Sequence, residues 1–193
     1  MPLKSLGLLG EQKILRDSKD FCIPKFDYTI ATSPLYQEII AKVFGVEKEK
    51  VLVVGAPRTD KMIENSKVLT QLDIDSSKYN KIILWMPTYR VTDIDKYKEQ
   101  GVLKDSGLPF FSKADLIEFN TCLRHYNNLL IIKLHPMDKL KRENLNQLSN
   151  IKVLDNEMLI QKGIHLYSLL GQVDLLLTDY SSVYLDFLLL NRP

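Results

Sequence analysis

Val173-Asp-Leu-Leu-Leu-Thr-Asp-Tyr-Ser-Ser182 is a short apolar run that ends in a hydroxyl-rich turn and leads directly into a segment of helical period, Ser181 to Leu190. Apolar residues at nearly every position are typical of a strand that is covered on both faces. A strand that passes at once into a helix is half of a βαβ unit. The stretch therefore predicts an α/β fold with parallel strands.

The same alternation of strand and helix runs along the rest of the chain. The predicted strands are Tyr28 to Ala31, Val51 to Val54, Lys81 to Trp85, Leu129 to Leu134, Ile151 to Leu154 and Val173 to Thr178. Helical spacing marks Pro34 to Phe44, Lys113 to Tyr126, Asp138 to Leu148 and Ser181 to Leu190, with start signals at Ser33, Ser112 and Ser181. The pattern predicts a Rossmann-like, doubly wound parallel sheet. The polar stretch Val91 to Phe111 is interpreted as a long surface loop.

Composition excludes several classes of protein. With 45% apolar residues in 193, the chain is long enough for one good core, and 26 Lys and Arg against 24 Asp and Glu give no reason to expect nucleic acid as a partner. No run approaches the roughly 18 apolar residues that span a bilayer, so any membrane contact is expected to be peripheral. Cys22 and Cys122 lack metal-ligand spacing and fit free thiols in a reducing cytoplasm.

Both ends of the chain are predicted to be truncated. The apolar residues of Met1 to Asp20 have no earlier element to cover them, and the last predicted helix runs into Asn191-Arg-Pro193, where a further strand is expected.

The turn before the last helix is the strongest candidate for an anion site. Free backbone N–H groups at a helix N-terminus favour phosphate, and Ser181 and Ser182 can add hydroxyl donors. Asp186 is a lone carboxylate one turn further on the same face, where it can accept hydrogen bonds from a ligand hydroxyl. The alternative is structural: Asp179 or Ser181 caps the helix, and Asp186 pairs with a nearby cation.

A second candidate group ends the strand Leu129-Leu-Ile-Ile-Lys-Leu-His-Pro136. Lys133 and His135 share one side of the strand end, and Pro136 turns the chain outward. Histidine titrates near neutral pH, so His135 can hydrogen-bond or protonate a phosphate leaving group. A lone histidine at a strand end is also commonly structural.

Two further turns follow strands, Gly55-Ala-Pro-Arg-Thr-Asp60 and Met86-Pro-Thr-Tyr-Arg90. Arg58 or Arg90 can clamp a pyrophosphate through two parallel hydrogen bonds, although a single arginine is more often part of a surface ion pair. A doubly wound sheet gathers its strand-end turns along one rim, which favours a shared binding site. No metal site, P-loop or glycine-rich dinucleotide motif emerges.

Taken in order, these motifs resemble the CDP-glycerol glycerophosphotransferases that prime and extend teichoic acids. The matching pieces are Pro2-Leu-Lys-Ser-Leu-Gly7, Phe26-Asp-Tyr with Ser33-Pro, Phe44-Gly-Val, Gly55-Ala-Pro-Arg-Thr-Asp60, Pro87-Thr-Tyr-Arg90, Lys133-Leu-His-Pro136 and Thr178-Asp-Tyr-Ser-Ser182 with Asp186-Phe. Each piece alone is weak, but the ordered set is specific and covers nearly the whole chain.

The resemblance implies a GT-B architecture in which this chain is the C-terminal, donor-binding domain. Residues 1–33 would be a remnant of the acceptor domain and its linker, and residues 34–193 an incomplete nucleotide-binding domain. The implied reaction is metal- and cofactor-independent transfer of glycerol or ribitol phosphate from a CDP-alditol to an acceptor hydroxyl, with release of CMP. The acceptor would be a lipid-linked polymer held through the missing domain, on the inner face of the bacterial membrane.

Residue roles also follow from the resemblance. The donor site would be lined by Arg58, Pro87, Thr88, Lys133, Leu134, His135, Ser181, Ser182 and Asp186. His135 would contact the pyrophosphate and assist the leaving group, the two serines would bind phosphate, and Asp186 would hold the alditol. The family's proposed base is a histidine just before the Pro-Leu-Lys motif. At that position this chain has only Met1. The chain alone is therefore expected to bind donor without turnover.

Two other functions stay open at this point. One is a non-catalytic nucleotide-binding module, which the absent base favours. The other is a different GT-B enzyme that uses a nucleotide-sugar donor at the same rim, although the chain lacks the Glu-rich ribose-binding helix of many such enzymes.

Overall fold

A computed structural model describes residues 27–88, 104–108, 110–134, 145, 148–179 and 181–193. The chain divides into two compact units, Met1–Asp60 and Lys61–Pro193. The predicted boundary after Ser33, between an acceptor-domain remnant and a donor domain, stays a prediction, because compactness does not show which residues hold donor or acceptor.

The first unit is a small parallel βαβ motif. Strand β1 (Thr29–Ala31) pairs with β2 (Val51–Val53), and helix α1 (Pro34–Phe44) connects them. The Ser33 hydroxyl accepts a hydrogen bond from the Tyr36 N–H at 3.2 Å, which starts α1 as predicted. Ala31, Ile40 and Val51 form its core. Short 3₁₀ turns lie at Lys48–Lys50 and Pro57–Thr59.

The second unit contains a four-stranded parallel sheet in the order β5-β4-β3-β6. Its strands are β3 (Lys81–Met86), β4 (Asn128–Lys133), β5 (Ile151–Leu154) and β6 (Leu175–Thr178). The remaining helices are α2 (Asp60–Ile63), α3 (Val68–Gln71), α4 (Lys113–His125), α5 (Asn156–Gln161), α6 (Leu166–Leu170) and α7 (Val183–Phe187), with 3₁₀ turns at Ser76–Lys78 and Leu188–Leu190.

The sheet of the second unit is covered on both faces, since side chains alternate along each strand. Leu84 and Ile131 face a core shared with residues of α3, α5, α6 and α7. Trp85 and Ile132 face a second core shared with Leu116 and Leu123 of α4. The predicted α/β class with a doubly wound parallel sheet is confirmed.

Two of the predicted elements begin two residues later in the structure. Strand β6 begins at Leu175 rather than Val173, because the Asp174 carboxylate instead accepts a hydrogen bond from the Ile82 N–H at 2.8 Å. Helix α7 begins at Val183 rather than at Ser181, with Ser182 in the N-cap position. Most of the predicted helix Asp138 to Leu148 lies outside the described residues.

The interpretation of Val91 to Phe111 as a surface loop is wrong for its last part. Leu108 is fully buried, and the Phe111 ring meets the Trp85 ring edge-on with the ring centres 5.2 Å apart. These apolar side chains close the core over α4, so the end of the loop is anchored to the second unit. Among the helices that the structure describes, none has both the length and the apolar character to cross a bilayer.

Candidate functional site

The carboxyl ends of the strands form the candidate site in the second unit. β3 lies between β4 and β6 in the sheet, so the residues that follow these three strands lie along one edge. The structure places Leu134 after β4, Pro87 and Thr88 after β3, and Asp179 after β6. Three of the four predicted strand-end turns are therefore neighbours.

Hydrogen bonds join the turns after β3 and β6. The Thr88 hydroxyl donates to Asp179 Oδ2 at 2.6 Å, and the Thr88 N–H lies 3.3 Å from both carboxylate oxygens. One residue earlier, the Thr178 hydroxyl donates to the Met86 carbonyl at 2.9 Å. Asp179 thus joins the turn after β6 to the turn after β3, and it also lies shortly before the start of α7.

Lys133 and Leu134 are both buried at the end of β4. Lys133 is only 2% exposed, and its Nζ donates to the Leu134 carbonyl at 2.7 Å and to Asn156 Oδ1 at 2.6 Å. The Leu134 N–H donates to the Leu154 carbonyl at 3.0 Å. These contacts fix the backbone immediately before His135 and place a positive charge beneath the edge.

The residues after β6 enter a short helix. Ser181 and Ser182 are half-buried, and the Ser182 side chain accepts no capping hydrogen bond from the described first turn of α7. Asp186 is 8% exposed, and its Oδ2 accepts a hydrogen bond from the Tyr167 hydroxyl at 2.6 Å. Tyr167 is thus one structural partner of Asp186.

Three predicted site residues lie in the first unit or outside the described residues. Arg58 is exposed and lies in the 3₁₀ turn Pro57–Thr59 of the first unit. His135 and Arg90 lie outside the described residues.

The arrangement suits an anionic ligand. Ser181 and Ser182 place two hydroxyl groups at the start of α7. The buried amino group of Lys133 lies at the end of the neighbouring strand β4. Within the described ranges, no group of three or more His, Cys, Asp and Glu side chains is placed to hold a metal ion.

Sequence reasoning missed three residues that shape this edge. Asn156 holds Lys133, Tyr167 holds Asp186, and Asp179 was considered only as a helix cap. Asp179 carried a local signal, since it directly follows an apolar strand. Asn156 and Tyr167 lie 23 and 19 residues from their partners, and nothing in the local sequence marks them.

Comparison with known proteins gives consistent matches. Residues 1–193 match the sequence model of a family described as CDP-Glycerol:Poly(glycerophosphate) glycerophosphotransferase. A teichoic acid ribitol-phosphate primase of Bacillus spizizenii is 29% identical over 173 residues, which cover 87% of this chain and 40% of the relative. A teichoic acid glycerol-phosphate primase of Bacillus subtilis is 29% identical over 197 residues, which cover 99% of this chain and 46% of the relative.

Solved structures agree with the sequence matches. A variant of the wall teichoic acid polymerase TagF that was soaked with CDPG superposes with a TM-score of 0.62 at 26% identity. The match covers 89% of this chain and 39% of that chain. The chain thus spans less than half the length of the relatives that it resembles.

Proposed function

Because the chain belongs to the CDP-glycerol:poly(glycerophosphate) glycerophosphotransferase family, we propose that it forms the donor-binding part of an alditol-phosphate transferase. The donor is CDP-glycerol or CDP-ribitol, and the product is a teichoic acid or a related cell-surface polymer. The family match along residues 1–193 carries this proposal, and the polar edge of the parallel sheet gives it a place in the fold.

The proposed reaction breaks a phosphoanhydride bond of the donor and forms a phosphodiester bond to the acceptor. An acceptor hydroxyl oxygen attacks the phosphorus that carries the alditol, and the bond from that phosphorus to the bridging oxygen breaks. CMP leaves with the bridging oxygen, and a base takes the hydroxyl proton. Charge develops on the bridging oxygen, so donors positioned there favour the reaction most.

The proposed roles follow the edge of the sheet. Ser181 and Ser182 bind phosphate oxygens at the start of α7, and Asp186 accepts hydrogen bonds from alditol hydroxyls. Lys133 lies buried under the strand end, so it acts on the pyrophosphate through its field and by fixing the backbone before His135. His135 contacts the pyrophosphate and gives a proton to the leaving group. Pro87, Thr88 and Leu134 form the wall, and Arg58 and Arg90 are candidate clamps.

The acceptor and the location are part of the same proposal. We assign the acceptor to a lipid-linked polymer held by another part of the full-length protein, at the cytoplasmic face of the membrane through peripheral contact. A chain that spans less than half of its relatives is proposed to bind donor and to need the remainder for transfer.

Calorimetric titration of this chain with CDP-glycerol, CDP-ribitol and UDP-N-acetylglucosamine tests the proposal. We expect saturable binding of a CDP-alditol and much weaker binding of the UDP-sugar. A Ser181→Ala, Ser182→Ala double variant should weaken CDP-alditol binding by about tenfold or more, because two hydrogen bonds to a charged phosphate are lost.

The matched control is the Ser76→Ala, Ser77→Ala double variant. These two adjacent serines are exposed and lie just before the amino end of β3, at the edge of the sheet opposite to the candidate site. Their loss should leave the affinity unchanged. Equal weakening by both double variants, or no binding of any nucleotide by the folded wild-type chain, would overturn the donor-site proposal.

A further inference from the structure

We propose that Asp179 is a positioning residue whose carboxylate holds the turn after β3 and the turn after β6 at one fixed spacing for a phosphate-bearing ligand. The inference rests on the proposed function for its ligand. It adds a role for Asp179, which the sequence indicated only as a possible helix cap, and it changes the expected role of Thr88.

The geometry shows a pairing that continues past the end of the sheet. Met86 and Thr178 are the last residues of β3 and β6 in register, and the Thr178 hydroxyl donates to the Met86 carbonyl at 2.9 Å. Beyond them, the N–H of Thr88 lies 3.3 Å from both oxygens of Asp179 and its hydroxyl 2.6 Å from Oδ2. Side chains thus replace the backbone ladder where the two strands end.

The position of this contact explains why it matters for a ligand. Asp179 lies two residues before Ser181, and Thr88 lies on the neighbouring turn, so the contact joins two walls of the proposed site. Both residues are half-buried. Reacting groups must be held to within a fraction of an ångström. Loss of this contact would therefore misplace the groups that bind the phosphate.

The charge of Asp179 supports the same conclusion. A carboxylate beside a phosphate site repels the ligand unless its charge is satisfied by hydrogen-bond donors. The N–H and O–H of Thr88 supply such donors. A hydroxyl has one proton to donate, so Thr88 serves to place the turn rather than to donate its hydroxyl proton to the ligand.

Affinity measurements on four variants of this chain test the inference. Thr88→Val and Asp179→Asn should each weaken CDP-glycerol binding by about ten- to hundredfold, because a loosened contact between the two turns leaves the phosphate-binding groups misplaced before the ligand arrives. Thr88→Ser keeps the hydroxyl and should bind nearly as the wild type does. The Thr88→Val, Asp179→Asn double variant should bind no more weakly than the worse single variant, because both substitutions weaken the same contact between the two turns.

Thr178→Val is the matched control. It removes a hydroxyl from the same pair of strands, but inside the ladder rather than between the turns. It should lower the melting temperature and leave the affinity of the folded chain unchanged. Affinities equal to the wild type for Thr88→Val and Asp179→Asn, or equal weakening by Thr178→Val, would show that the contact serves only stability and would overturn the inference.

Hydrogen exchange without ligand separates this inference from the donor proposal. The Tyr184 and Leu185 N–H groups bond to the Ser181 and Ser182 carbonyls in the turn after β6. Thr88→Val should speed exchange of these two amides, although the substitution lies in the other turn. Unchanged exchange there overturns the inference regardless of nucleotide binding. Faster exchange of these two amides in a Thr88→Val chain that binds no nucleotide would support the positioning role of Asp179. It would contradict only the donor-site proposal.

Discussion

Ile131→Ala should lower the free energy of unfolding of the second unit by about 2–5 kcal/mol, the usual range for removing a large aliphatic side chain from a packed core. Ile131 is fully buried in β4, the strand between β3 and β5, and its side chain joins the core that α3, α5, α6 and α7 cover. The surrounding elements belong to several parts of the sequence and cannot all collapse into the cavity. Trp85 is the only tryptophan of the chain and is buried in this unit, so its fluorescence in guanidinium unfolding reports the change.

Ile117→Ala provides the matched control for this prediction. Ile117 is 59% exposed on α4, so the same change of side chain should alter the free energy of unfolding by less than about 0.5 kcal/mol. Similar losses from the two variants would contradict the assignment of β4 to the interior of a sheet covered on both faces.

Gly171→Ala should destabilise the second unit by about 1–3 kcal/mol or more through steric overlap. A Cβ atom at this position would overlap the Met62 carbonyl oxygen and lie 2.8 Å from its carbonyl carbon and 3.0 Å from its Cα. Backbone atoms cannot rotate out of the way as a side chain can. Thermal unfolding followed by far-UV circular dichroism measures the loss.

A comparison of the Gly171→Asn and Gly163→Asn variants separates this steric effect from the effect of backbone conformation on stability. Gly163 has a φ of +63° and open space around it, and asparagine tolerates the left-handed conformation well. Gly163→Asn should therefore cost only about 1 kcal/mol or less, whereas Gly171→Asn should be at least as damaging as Gly171→Ala. A larger loss of stability from Gly163→Asn than from Gly171→Asn would contradict the close approach of the end of α6 to Met62.

The sequence was sufficient for the strands and for the longer helices, whereas the short helices α2, α3, α5 and α6 were not predicted. Apolar runs of four to six residues predicted the six strands that the structure describes to within two residues, because strands buried on both faces leave few polar positions. Ser33 and Ser112 correctly marked the starts of α1 and α4, since a hydroxyl cap is a local interaction. The packing of Leu108 and Phe111 was missed, because the polar residues around them resemble an exposed loop.

The candidate site was predictable only in part. The rule that parallel strands end at a common edge placed the turns after β3, β4 and β6 together. The contacts within that edge join distant residues: Thr88 and Asp179 are 91 positions apart. Such pairs depend on strand order and register, which apolar patterns do not contain. For the same reason, the burial of the Lys133 ammonium against Asn156 could not be read from the strand that contains it.

The central claim is that the carboxyl edge of the second unit's sheet binds the CDP-alditol. Its most direct test is a nuclear magnetic resonance titration of the isotopically labelled chain with CDP-glycerol. The account predicts amide shift changes at Thr88, Leu134, Ser181 and Ser182, with Asn80 and Asp174 at the opposite edge unaffected. Saturable binding that shifts Asn80 and Asp174 and leaves the carboxyl edge unchanged would contradict it.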